Sequence, residues 1–206
     1  MRVFRGLGKW HSNSTVMFNL NQIYMDKKTS IKLNSSNIIN IRKNLDAEIT
    51  KSWKTIRNEN VMSTKEIKAG LGSGKDLKAL YNYITQLQDK RIKIKGMLMY
   101  LNLGITTFDY EAFKKTNNYS IFAACEAKEA LAQLSLIPTL NPIEKAKKGK
   151  ANISKKETFT SAKIASLKKT LQLEANKHDA AMEKFNKNTD IDITSIADDF
   201  KLELTI

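Results

Sequence analysis

The sequence predicts an all-α fold: an antiparallel hairpin or bundle of long helices, with a further long helix towards the C-terminal end. Three observations lead there. Apolar residues recur every three or four positions along three separate stretches, the period of one helix face. Only 2 Pro and 8 Gly punctuate 206 residues, whereas strands need frequent turns. One stretch also keeps a heptad spacing long enough to form a coiled-coil-like seam.

The first 34 residues carry the weakest signal. MRVFRGLGKW, with Gly6 and Gly8, reads as an extended lead-in, and Val16, Leu20, Ile23 and Tyr24 suggest a short helix capped by Asn13 or Ser14. From a cap at Ser35 or Ser36 the pattern sharpens. Ile38, Ile41, Leu45, Ile49, Trp53 and Ile56 share one stripe, opposite Arg42, Lys43, Lys51 and Lys54, which predicts a helix over 36–60.

Residues 61–74 open with Ser63 and Glu66 at capping-box spacing and close with GLGSG, so a short helix and a flexible turn are expected. Ser73 is the candidate cap for the second long helix. Leu77, Leu80, Ile84, Leu87, Ile94, Leu98 and Leu101 form its seam, with Arg91 at the one seam position that is not apolar, and Gly104 is a left-handed stop. The short connection makes the two helices antiparallel neighbours over about 36–103.

Asp109 precedes a short helix, and Ser120 is the candidate cap of another that runs to about Leu136. Ala123, Ala124, Ala127, Ala130 and Ala132 on it permit close helix approach. Pro138 and Pro142 end it, and Asn141 before Pro142 reads as a new start. A last helix over about 160–187 places Ile164, Leu167, Leu171, Ala175, His178 and Phe185 on one face, with Ala181 or Met182 between the last two. KLELTI and MRVF alternate as strands do, so the two termini are candidates for one short β pair. The expected organisation is a helical core over 1–143, a lysine-rich connector over 144–159, and the C-terminal helix with an acidic tail over 160–206.

The net charge is +14. It comes from lysine, with only 5 Arg, which suits non-specific attraction to polyanions better than base readout. Lys, Asn and Ile are all over-used, so AT-rich coding accounts for the same excess without selection for binding. Lys145, Lys147, Lys148, Lys150, Lys155 and Lys156 form the densest run and are the candidate electrostatic surface. After Thr189 the sign reverses, with Asp190, Asp192, Asp198, Asp199 and Glu203 against Lys201.

Catalytic equipment is sparse. AGLGSGKD over 69–76 resembles a phosphate loop only at Gly74 and Lys75, because Ala69 replaces the first glycine and Asp76 the magnesium-binding hydroxyl. His11, His178 and Cys125 lie far apart in sequence, so neither a metal nor a cofactor is expected. Cys125 sits within an alanine-rich helix, where a small buried thiol is ordinary. Trp53 belongs to the apolar stripe, whereas Trp10, between Lys9 and His11, is a candidate interface residue. Arg91 is another, since a cation on a seam either snorkels out, pairs within the fold or contacts a partner.

Cys125 is the sole cysteine, which excludes an intrachain disulfide and fits a reducing compartment. No signal peptide is recognisable near Arg2 and Arg5, and Met97–Phe108 is too short and too interrupted to span a bilayer. The expectation is a cytoplasmic, non-enzymatic interaction protein that binds a protein partner or self-assembles, of the kind found among phage structural components and inhibitors of host systems. It would then occupy a host cytosol or a virion. The alternative is sequence-independent nucleic-acid binding through the lysine-rich surface; no helix-turn-helix, zinc-finger or RNA-recognition motif is present.

Overall fold

The computed structural model describes residues 31–140, 155–192 and 194–195. These are mostly helical, as the stripes require: α1 Ser35–Glu59, α2 Thr64–Lys68, α3 Leu77–Asn102, α4 Tyr110–Phe113, α5 Asn117–Ser135 and α6 Ser161–Asn188. Two three-residue strands, β1 Val61–Ser63 and β2 Lys155–Glu157, pair antiparallel with Val61 opposite Glu157 and Ser63 opposite Lys155. The short helix and turn expected over 61–74 form as α2 and the turn with Gly70 and Gly74 at positive φ, with β1 added before them, and β2 falls within the stretch read as a connector. The expected pairing of MRVF with KLELTI lies outside the described residues.

Each long helix begins where a side chain can accept from an unpaired N–H of its first turn. Asn34 accepts from the Asn37 N–H at 2.8 Å and Asp76 from the Lys78 N–H at 2.9 Å. Thr116 and Thr160 do the same for Tyr119 and Lys163 at 3.3 and 3.2 Å. Three expected caps therefore move: from Ser35 or Ser36 to Asn34, from Ser73 to Asp76, and from Ser120 to Thr116. Ser73 serves another purpose, donating from its N–H and hydroxyl to the Glu59 carboxylate at 3.0 and 2.8 Å. The capping box forms as spaced, with the Ser63 N–H donating to Glu66 at 2.7 Å and the Glu66 N–H to the Ser63 hydroxyl at 3.2 Å. Gly104, at φ +75°, ends α3 in the left-handed region where a side chain would be strained.

α1 and α3 form the expected antiparallel hairpin. Near its turn Trp53 meets Tyr81 edge-on at 5.9 Å, and further along Asp46 of α1 reaches Arg91 of α3. α5 and α6 make a second antiparallel pair. Tyr119 lies 5.8 Å from His178, near the start of one helix and the end of the other, while Leu134 and Ile164 share a cleft at the opposite end.

One apolar core joins both pairs. Ile49, Trp53 and Ile56 of α1, Leu80, Ile84 and Leu87 of α3, and Ala130 and Leu134 of α5 pack with Phe159 and Ile164. Burying such side chains contributes roughly 1.5–3 kcal/mol each. A second cluster centres on Phe113, which is fully buried among Ile92, Phe108, Tyr119 and Phe122. It fits because Gly96 presents no side chain: a Cβ there would lie 2.7 Å from Cε1 of Phe113.

Asn60 ties the end of α1 to the Pro138 turn and to the residues just before α6. Its Nδ2 donates to the carbonyls of Pro138 and Phe159 at 2.7 and 2.9 Å, and its Oδ1 accepts from the Phe159 N–H at 2.6 Å. The residue is 1% exposed, so these bonds satisfy groups that water does not reach.

Candidate functional site

The hairpin's turn end gathers lysines from three parts of the chain. Lys65 and Lys68 lie on α2, Lys75 and Lys78 flank the start of α3, and Lys155 and Lys156 lie on β2, which the register sets against Ser63 and Met62. All six are exposed. Four carboxylates share this end, and each is turned to a backbone N–H: Glu59 to Ser73, Glu66 to Ser63, Asp76 to Lys78 and Glu157 to Leu140. Glu66 lies below the usual carboxylate range because the Ser63 hydroxyl and N–H bond it, with the Lys155 charge adding to the effect against a small opposing push from burial. The surface is therefore of mixed sign, with exposed lysines beside carboxylates that bond backbone N–H groups.

Of the sequence-predicted surface, Lys155 and Lys156 stand here. Lys145, Lys147, Lys148, Lys150 and Trp10 lie outside the described residues. The glycine-rich turn uses Asp76 as a helix cap, and Lys75 is exposed beside it.

Arg91 does not snorkel. Its side chain is 8% exposed and points inward to three carboxylates: Glu126 of α5, bonded through Nε at 2.8 Å and again through Nη2, Asp46 of α1 at 3.0 Å, and Glu129 of α5 at 2.5 Å. Lys95 reaches Glu126 at 2.8 Å from the same helix as Arg91. Burial works against the guanidinium charge, but Glu126 foremost, with Asp46 and Glu129, outweighs it and raises the pKa above the ordinary arginine value. The network joins α1, α3 and α5.

Cys125 is exposed, contrary to the expectation of a buried thiol. The buried face of α5 runs through Ala123, Ala127, Ala130 and Leu134 and includes Glu126, which turns position 125 outward; Ala132 is likewise exposed. His178 is half-buried. Burial lowers its pKa from the ordinary 6.5, while Glu174 and Asp179 pull upward and Lys177 downward. Among the described residues no group of three or more His, Cys, Asp or Glu gathers as metal ligands do, and no helix is long and apolar enough to cross a membrane.

Sequence reasoning missed Glu126 and Asn60. Glu126 had a signal: a carboxylate among alanines on the face expected to pack closely is the natural partner for a seam arginine. Asn60 had none, since its three bonds go to residues brought near only by the fold. Comparison with protein-family models, curated proteins and solved structures gave no match.

Proposed function

We propose that this is a non-enzymatic helical interaction protein that docks, through its lysine-bearing hairpin end, on an acidic face of a protein partner or of a second copy of itself. The observation that carries this reading is the convergence of Lys65, Lys68, Lys75, Lys78, Lys155 and Lys156 at one end. Complementary charge steers encounter and rejects wrong partners. The interspersed carboxylates of Glu59, Glu66, Asp76 and Glu157 favour a protein face, itself of mixed sign, over a uniform row of phosphates. A small phage component or an inhibitor of a host system is the kind of protein this make-up suits.

The second reading, sequence-independent nucleic-acid binding, draws on the same lysines and on the lysine-rich run at 145–150 that leads towards β2. A titration of duplex DNA and single-stranded RNA from about 50 mM salt separates the two, because phosphate contacts are strongest at low salt and fade steeply as it rises. We expect no binding to either. Steeply salt-dependent binding that disappears in K65E/K68E/K155E would transfer the function to nucleic acid. Light scattering at low and high salt reads self-association directly, and the triple reversal should abolish whichever protein contact exists while leaving circular dichroism unchanged. A contact that survives the reversal lies elsewhere on the molecule.

A further inference from the structure

We propose that the cleft between α3, α5 and α6 binds a small organic amine, a primary ammonium carried on an apolar stem. The inference stands independently of the lysine-bearing end. Ala123 and Ala127 on α5 are too small to fill the space between α3 and α6, leaving a cleft of about 370 Å³. Ligand sites commonly span roughly 300–1,000 Å³, so this one suits a small molecule. Its apolar wall is built by Ile92, Leu167 and Leu171 together with those alanines.

The charge of the lining selects the ligand. In a chain of net charge +14, no Lys or Arg lines this cleft, whereas Asp89, Glu126 and Glu174 do. Two of the three carboxylates are occupied: Glu126 by Arg91 and Lys95, and Asp89 by Lys93 at 2.6 Å and the Tyr110 hydroxyl at 2.7 Å. Glu174 holds no hydrogen bond or ion pair among the described residues. Glu174 is exposed and lines the cleft together with Tyr81, whose pKa burial foremost, with the Glu174 charge, raises above its ordinary value. An anion would therefore meet uncompensated negative charge here, and a neutral apolar molecule would forgo the Glu174 carboxylate. An ammonium bonds that carboxylate while its stem covers Ile92, Leu167 and Leu171.

The probe is tyramine, compared with 4-ethylphenol, which has the same ring and stem without the ammonium. Saturation-transfer NMR and calorimetry should show saturable tyramine binding and 4-ethylphenol weaker by about ten-fold, as loss of one charge-assisted hydrogen bond implies. Glu174→Gln should bring the two probes to equal affinity. Thr170→Trp, at an exposed position on the rim, should block both, with circular dichroism confirming that each variant is folded. The proposal is overturned if wild-type protein shows no saturable tyramine binding, if it binds both probes equally, or if neither substitution changes tyramine binding.

Discussion

Arg91 of α3 and Glu126 of α5, 35 positions apart in sequence, meet in the middle of the bundle with both charges buried, joined through two nitrogens of the guanidinium. Asp46 and Glu129 complete the shell around the arginine, and Lys95 adds a second cation to Glu126. A pair of this kind need not raise net stability, because desolvating two charges costs about as much as their attraction returns. We expect the pair to favour the present register, since sliding α5 along the hairpin would separate Glu126 from Arg91 and leave buried charge uncompensated.

Removing one partner should therefore hurt more than removing both. Arg91→Met should cost about 3–5 kcal/mol by leaving the Glu126 charge under-compensated, and R91M/E126M should recover most of that loss. Urea unfolding of the two single variants and the double variant gives the coupling. A double variant as unstable as R91M would mean that the two residues do not act as a unit.

Asn60 is the tie between α1, the Pro138 turn and Phe159. Asn60→Ala should strand one N–H and two carbonyls and cost at least about 1–3 kcal/mol, the desolvation of a single unsatisfied group. Asn60→Asp keeps an acceptor for the Phe159 N–H but turns an oxygen towards both carbonyls, so it should be no better tolerated. Chemical denaturation measures both, and an unchanged midpoint for either would deny the tie its importance.

At Gly96 helix propensity and packing oppose each other. Alanine is favoured over glycine inside a helix by about 1 kcal/mol. Its Cβ, however, would sit 2.7 and 2.9 Å from Phe113 and 3.0 Å from Phe108, and overpacking of this kind costs about 1–3 kcal/mol. Gly96→Ala should be net destabilising, and a raised melting temperature would show that the Phe113 ring yields.

Asp89 makes stability depend on acid pH. Burial pushes its carboxyl up, but hydrogen bonds from Lys93 and Tyr110, with the charges of Lys93 and Lys114, outweigh that push and hold it below the ordinary 3.8. A group depressed in the folded state contributes its stability above the unfolded pKa and loses it as pH falls through the folded value. Asp89→Asn should therefore lower the melting temperature at pH 7, and the gap from wild type should narrow below about pH 4. A gap of equal size at pH 7 and pH 3 would contradict this linkage.

The helices were legible because what makes a helix is local. The α1 stripe of Ile38, Ile41, Leu45, Ile49, Trp53 and Ile56 is buried or half-buried at every position, and so is the α3 seam from Leu77 to Leu101. The α6 stripe holds from Ile164 to Met182, and Phe185 beyond it is 45% exposed. Cap positions shifted by one to four residues because several neighbouring Ser, Thr, Asn and Asp side chains compete, and the geometry of the incoming chain chooses among them. The candidate sites were less legible. Lys155 and Lys156 read as part of a lysine run, but their neighbours Lys65 and Lys68 come from a strand pairing that no period announces. Whether Arg91 snorkelled or paired depended on where α5 lies against the hairpin. The bonds of Asn60 reach 78 and 99 positions along the chain. Periodicity and capping operate within a few residues, so one sequence carries them in plain order; ion pairs, strand partners and gathered charges form between distant segments, where burial and the matching of donors to acceptors select the arrangement.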